Sequence, residues 1–230
     1  MNRFIATLLI ATAIPAFAHP PRPAEDVARD AARHPAELVA FAGIGKGKVV
    51  ADFIPGGGYF TRVFSYAVEP GGRVIAVVPE GAARLDPAAA KAIADLAADA
   101  SYGNVSMASA LTPDGSVDVV WTAQNYHDLH NALPPEGVAG FNRLVFAALK
   151  SGGVFVVVDH SAQAGSGLTA TKSLHRIDAE TLKAEIVAAG FVFDGESKAL
   201  ANPADDRSRM VFDPAIRGKT DQFAYRFRKP

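Results

Sequence analysis

The 230 residues contain no cysteine, and Lys plus Arg (23) almost balance Asp plus Glu (24), for a formal net charge of −1. Without cysteine there is no disulfide framework and no thiol for a lipid anchor, so an oxidising compartment is tolerated without being exploited. The near-zero charge and the lack of any long basic run exclude a nucleic-acid partner held by phosphate neutralisation. No apolar run reaches the roughly 20 residues that a membrane-spanning helix needs. Internal repeats and low-complexity blocks are also missing, which excludes solenoids and tail-like interaction segments.

What is present begins with an address. Asn2-Arg3 is a small positive region, Phe4 to Pro15 a short apolar stretch, and Ala16-Phe17-Ala18 an A-x-A cleavage pattern. Together these read as a secretory signal peptide over residues 1–18, with a mature chain starting at His19 and a periplasmic or secreted product. Residues 19–35 read as an N-terminal extension, proline-rich from His19 to Pro23, and residues 36–230 are long enough for one domain with a sizeable core.

Along that domain, strands and helices alternate. Ala24 to Phe41 has helical spacing broken near His34-Pro35, and Lys48 to Phe53 is a strand. A helix follows from Tyr59 to Val68, a strand from Arg73 to Val78, and an alanine-rich helix from Pro87 to Ala98. Val105 to Met107 and Val117 to Thr122 are strands, and the apolar stripe of Val138, Phe141, Leu144, Val145 and Leu149 predicts a helix over Pro135 to Lys150, stopped by Gly152-Gly153. Val154 to Val158 is a continuous apolar strand of the kind buried on both faces of a parallel sheet. Thr181 to Ala189 is the next helix, and Phe191 to Phe193 and Phe223 to Phe227 are the closing strands. The pattern implies an α/β fold with a doubly wound, mostly parallel sheet and right-handed crossovers.

The most informative segment is Asp52-Phe53-Ile54-Pro55-Gly56-Gly57-Gly58-Tyr59, where a strand breaks into three glycines and resumes as a helix. Glycines there accept positive φ and let a ligand approach the backbone, and the N–H groups that open the helix favour electron-rich groups. A tight turn with no ligand would read the same way. In an open α/β sheet, however, ligands sit beyond the carboxyl ends of the strands, where this turn lies.

The order of these pieces resembles the class I S-adenosylmethionine-dependent methyltransferases. Asp52 to Gly58 looks like their first motif, Leu149-Lys150-Ser151-Gly152-Gly153 resembles the passage before their fifth strand, and Ala189-Gly190-Phe191 the entry to their sixth. Gly56 to Thr61, Asn125-Tyr126-His127-Asp128-Leu129-His130 and Arg217 to Asp221, with the signal peptide, look like an exported branch of predicted methyltransferases. The resemblance implies a seven-stranded Rossmann-like sheet with the last strand antiparallel. It also implies S-adenosylmethionine as cofactor, held by Asp52, Pro55, Gly56, Gly57, Gly58, Tyr59, Glu80 and Asn125, and a small-molecule methyl acceptor. The chain departs from the family at Ile54, where the loop usually has its first glycine, and at Val77-Val78, where the second strand usually ends in a ribose-binding acid. Glu80 substitutes for that acid only if the turn at Pro79 swings it back.

A second constellation is rich in histidine. Asn125, His127, Asp128 and His130 follow one expected strand and Asp159-His160 another, so all project from the edge that carries the glycine turn. His127, with its ordinary pKa near neutrality, suits a general base; Asp128 and His160 complete the expected catalytic group. Two rival readings remain open. His127, His130, His160 and His175 with Asp159 or Asp178 are suitable ligands for zinc and similar ions, although H-D-x-H lacks the H-x-x-x-H spacing that converges on one helical face. Alternatively, the fold serves as an exported, non-catalytic binding or interaction module, which would resolve the conflict between export and a cofactor made in the cytosol. The charged segment from Asn202 to Asp221 is long for a hairpin connection and reads either as a lid or as a surface loop tied by ion pairs. Trp121, at a strand end, reads as core.

Overall fold

The computed structural model describes residues 19–230, so the expected signal segment lies outside the described residues. One sheet contains β1 (Val49–Phe53), β2 (Arg73–Val77), β3 (Val105–Ala108), β4 (Val117–Ala123), β5 (Leu149–His160), β6 (Val192–Ser197) and β7 (Gln222–Arg228). Their order is β3-β2-β1-β4-β5-β7-β6, with β1 to β5 parallel and β7 antiparallel to both neighbours. This is the Rossmann-like methyltransferase architecture expected from the sequence. Sequence-consecutive strands run outward from β1 to β3, and the chain then returns to place β4 on the other side of β1, so the carboxyl ends of β1 and β4 flank the switch point.

Among the described residues ten α-helices accompany the sheet: α1 (Ala24–Val27), α2 (Asp30–Arg33), α3 (Pro35–Phe41), α4 (Tyr59–Ala67), α5 (Glu80–Leu85), α6 (Pro87–Ala98), α7 (Tyr126–Ala132), α8 (Pro135–Ala148), α9 (Thr171–Leu174) and α10 (Ala179–Ala188). Side chains alternate across the central strands and define two cores. Ala51, Val120, Phe155 and Val157 face α8 and α10 through Val138, Phe141, Leu182 and Ile186. Val50, Val119, Trp121 and Val156 face α3 and α4 through Leu38, Phe60 and Phe64. Trp121 is fully buried against the rings of Phe60 and Phe64, so its core assignment holds.

Several boundaries differ from the sequence expectation, most at their ends by a few residues, and the larger differences have a local cause. The run from Ala24 to Phe41 is three short helices, separated at the last break by His34 in the left-handed region (φ 44°); Pro35 disfavours the right-handed helical conformation at the residue before it. The helix begun at Pro135 ends at Ala148, not Lys150, and Gly152-Gly153 lie inside β5 rather than at a helix stop. Gly152 takes φ 75°, and a Cβ on Gly153 would sit 2.9 Å from the Lys150 carbonyl oxygen, next to the register shift between Val117 and Val119. Those glycines therefore serve a strand irregularity.

Candidate functional site

The glycine turn follows β1 as expected. Gly56 (φ 55°) and Gly58 (φ 84°) need the left-handed region, and open space lies where a Cβ on Gly56 or Gly57 would be. Ile54 also sits there, at φ 54°, a costly conformation for a β-branched residue. It is held by its own N–H, which donates to the Val77 carbonyl (2.9 Å), and by its carbonyl, which accepts from Asn125 Nδ2 (3.0 Å). The same Asn125 amide donates to the Ala123 carbonyl at 2.8 Å. Asn125 thus knits the ends of β1 and β4 together.

Asp52, buried beside the turn, accepts a hydrogen bond from Thr61 Oγ1 at 2.7 Å. Burial pushes its carboxyl up to about 7, against the opposing pull of Thr61 and the Arg33 charge. Arg33 is the residue that sequence reasoning missed. It closes α2, lies over the rings of Tyr59 (4.7 Å) and Phe60 (5.1 Å) and donates to Gln124 Oε1 at 3.2 Å. Burial and the neighbouring Arg29 lower it to about 10. Among the described residues it makes no ion pair. Together with Phe60, Gln124 and Gln222 it lines a cavity of ≈ 20 Å³, room for one water. A positively charged residue at the end of an N-terminal helix gives no periodic signal, so only the fold reveals it.

Other expected ligand residues are engaged elsewhere. Tyr59 is buried under the N-terminal segment, and its hydroxyl donates to Asp30 Oδ1 at 2.6 Å. That segment is further fastened by Arg62 to Asp26 (2.6 Å) and Arg22 to Asp30 (2.9 Å). Glu80 does not swing back over β2: it opens α5 with its side chain 85% exposed and faces Arg84 at 3.6 Å. Pro55 lies half-buried in the turn itself.

The histidines separate into two kinds. His127, on the first turn of α7, donates from Nδ1 to Asp159 Oδ1 (2.7 Å), and its backbone N–H donates to Asp159 Oδ2 (2.8 Å). The His160 N–H donates to Asp159 Oδ1 as well, at 2.8 Å. Burial opposes the Asp159 charge, but His127 and these donors hold its carboxyl below the ordinary range. Burial likewise opposes charge on His127, yet Asp159 and then Asp128 raise its pKa overall. The Nε2 atom of His127 faces His175 Nδ1 at 3.3 Å and Asp128 Oδ1 at 3.4 Å. His160, by contrast, turns Nδ1 to Thr220 Oγ1 (2.9 Å), and burial pushes it down to about 4. His130 pairs with Glu185 at 3.0 Å, and Asp178 caps α10. So the cluster is His127, Asp128, His175 and Asp159, while the expected members His130, His160 and Asp178 serve other contacts.

Beyond the ends of β5 and β7 lies a larger cavity of ≈ 460 Å³, within the range of small-ligand pockets. Phe223 and Tyr225 give it an aromatic wall, and Asp178, Glu180 and Glu196 with Lys198 and Arg207 give it polar groups. The segment from Asn202 to Asp221 walls it and is tied by a buried ion pair, Arg176 to Asp205 (2.8 Å), and a half-buried one, Arg207 to Asp221 (2.8 Å).

The fold is shared with solved structures. A SAM-dependent methyltransferase from Aquifex aeolicus superposes with a TM-score of 0.58 at 17% identity, covering 87% of this chain and 92% of its own. The [4+2]-cyclase SpnF reaches a TM-score of 0.63 at 17% identity, covering 86% and 80%. A possible exported protein from Bordetella parapertussis gives a TM-score of 0.54 at 19% identity, covering 88% and 68%. No protein-family model and no curated protein matches the chain. Several of the structural neighbours are described as S-adenosylmethionine-dependent or putative methyltransferases, and at these identities the likeness shows the fold.

The residues at the turn fit one end of that cofactor. Arg33, in no ion pair among the described residues, has the charge to face a carboxylate, Asp52 a buried carboxyl to face an ammonium, and Gly56-Gly57 an open backbone. At the ribose end, β2 finishes in Val77 and Val78, and Glu80 points into solvent.

Proposed function

We propose that the protein is an exported S-adenosylmethionine-dependent methyltransferase-like enzyme acting on a small-molecule acceptor. The observation that carries this reading is an open glycine turn at the switch point of a sheet ordered β3-β2-β1-β4-β5-β7-β6, with the Arg33 guanidinium, which makes no ion pair among the described residues, close to the buried Asp52 carboxyl. The cofactor, when bound, supplies an activated methyl group. Asp52 and Arg33 orient its amino-acid end, and Gly56 and Gly57 leave room for it against the backbone. His127, raised in basicity by Asp159, accepts the acceptor's proton at Nε2, with Asp128 beside it and His160 neutral behind. Export rests on the N-terminal sequence pattern, and a neighbour of the same fold is described as a possible exported protein.

A second reading, a non-catalytic binding module, is favoured by the ≈ 20 Å³ cavity and by valine at the end of β2. Calorimetry with S-adenosylmethionine and its demethylated product separates the two. Saturable heat that Gly56→Val abolishes supports the enzyme; no heat and no thermal shift at millimolar ligand supports the module. N-terminal sequencing of the exported fraction should begin at His19, and an intact Met1 on a cytosolic product would reject export.

A further inference from the structure

The His127, Asp128 and His175 cluster has a regularity that proton transfer does not require. His127 Nε2 lies 3.3 Å from His175 Nδ1 and 3.4 Å from Asp128 Oδ1, and His175 Nδ1 lies 3.3 Å from Asp128 Oδ1. The three atoms form a nearly equilateral triangle. In a tetrahedral zinc site with bonds of about 2.0 to 2.1 Å, ligand atoms stand about 3.3 to 3.4 Å apart, so this triangle has the size of one tetrahedral face.

We propose that His127 Nε2, His175 Nδ1 and Asp128 Oδ1 bind one divalent transition-metal ion, best matched by zinc, with the fourth position open to water or a ligand. The donor set is chemically apt, because two imidazoles and one carboxylate suit zinc, whereas magnesium and calcium prefer all-oxygen shells. Each ligand is also positioned by a second group. Asp159 accepts the hydrogen bond from Nδ1–H of His127 and so directs the lone pair of Nε2 at the triangle, the usual carboxylate–histidine support of a metal ligand. Asn131 Nδ2 donates to Asp128 Oδ1 at 3.0 Å and to the Thr171 carbonyl at 3.2 Å, linking α7 to α9. His175 reaches the cluster from a left-handed backbone (φ 53°) and packs against Phe212 (5.0 Å). His127 is buried while Asp128 is half exposed, so one side of the triangle stays accessible.

The site goes beyond methyl transfer and does not depend on it. An occupied cluster commits Nε2 of His127 to the metal, and a metal-bound water then becomes the basic group at this edge. The cation-free account of the same geometry is a proton shared among the three side chains, and the two accounts make different predictions.

The whole chain, purified without a histidine tag and stripped with chelator, is titrated with zinc chloride by calorimetry in the absence of S-adenosylmethionine. One zinc per chain is expected, and cobalt substitution should give the intense visible absorption of a four-coordinate site. His175→Ala, on a partly exposed segment, should lower zinc affinity at least 100-fold and Asp128→Asn about tenfold, while His130→Ala should change it less than twofold. Circular dichroism establishes that each variant is folded. No stoichiometric uptake at tenfold excess zinc, or equal affinity in parent and His175→Ala, overturns the proposal and leaves the shared proton. Because cofactor is absent throughout, failure of the methyltransferase reading would leave this result unchanged.

Discussion

Two buried carboxylates stand at the same edge of the sheet, Asp52 at the end of β1 and Asp159 at the end of β5, and their surroundings treat them in opposite ways. Asp159 accepts an imidazole N–H and two backbone N–H groups, which keeps it ionised. Asp52 accepts one hydroxyl, from Thr61, and is pushed up to about 7. A satisfied carboxylate acts as a fixed part, here aiming His127. An undersatisfied one retains the capacity to gain from a cationic group that arrives later. Along that one edge, the glycine-turn side keeps a carboxyl whose partners are incomplete, and the histidine side is fully built in advance.

The largest test of that contrast is Asp159→Asn. It removes the charge that His127 and its neighbours are arranged around, and should cost about 3 kcal/mol in urea unfolding at pH 7. A loss below about 1 kcal/mol would mean that Asp159 is not the fixed member of the pair. Asp52→Asn should act in the other direction. Its native pKa lies above the ordinary 3.8, so the native state holds a proton that the unfolded chain has lost at intermediate pH. Its contribution is full below pH 4 and disappears as pH rises through about 7. Asp52→Asn should thus stabilise the protein at pH 8 by on the order of 2 kcal/mol, with the gain vanishing near pH 4. Equal effects at both pH values would show that Asp52 is ionised in the native state after all.

Smaller effects sharpen the reading of the turn. Arg33→Ala should weaken binding of S-adenosylhomocysteine by about tenfold, the worth of a charge-assisted hydrogen bond to a carboxylate, while leaving folding intact. Tighter binding would instead identify Arg33 as a plug in the cavity. Glu80→Gln should change affinity less than twofold, since its side chain faces solvent. A tenfold loss would require the turn at Pro79 to rearrange over the ribose position.

The sheet was legible because its strands are β-branched runs punctuated by glycine and proline, and such local patterns survive without knowledge of partners. The glycine turn was legible for the same reason. Which histidines converge was not. His127 and His130 lie on one short helix three residues apart, yet Glu185 claims one and Asp159 the other, and only tertiary packing assigns those partners. His175 joins the cluster through a left-handed turn with no compositional sign, and Arg33 reaches the glycine turn through the fold-back of the N-terminal segment. The short helices α5 and α9, of six and four residues, are too brief to display a periodicity.

The position of β7 has a consequence for the order in which the molecule can be assembled. β6 hydrogen-bonds to β7 alone, and β7 follows every other strand in sequence. A chain that emerges N-terminus first can therefore complete the glycine turn and β1 to β5 while β6 waits, without a neighbour, for residues 222–228. Asp221, which anchors Arg207 and whose N–H donates to Asp205, arrives immediately before them. The large cavity and its charged wall are thus late features of assembly, added to five strands that already display the glycine turn.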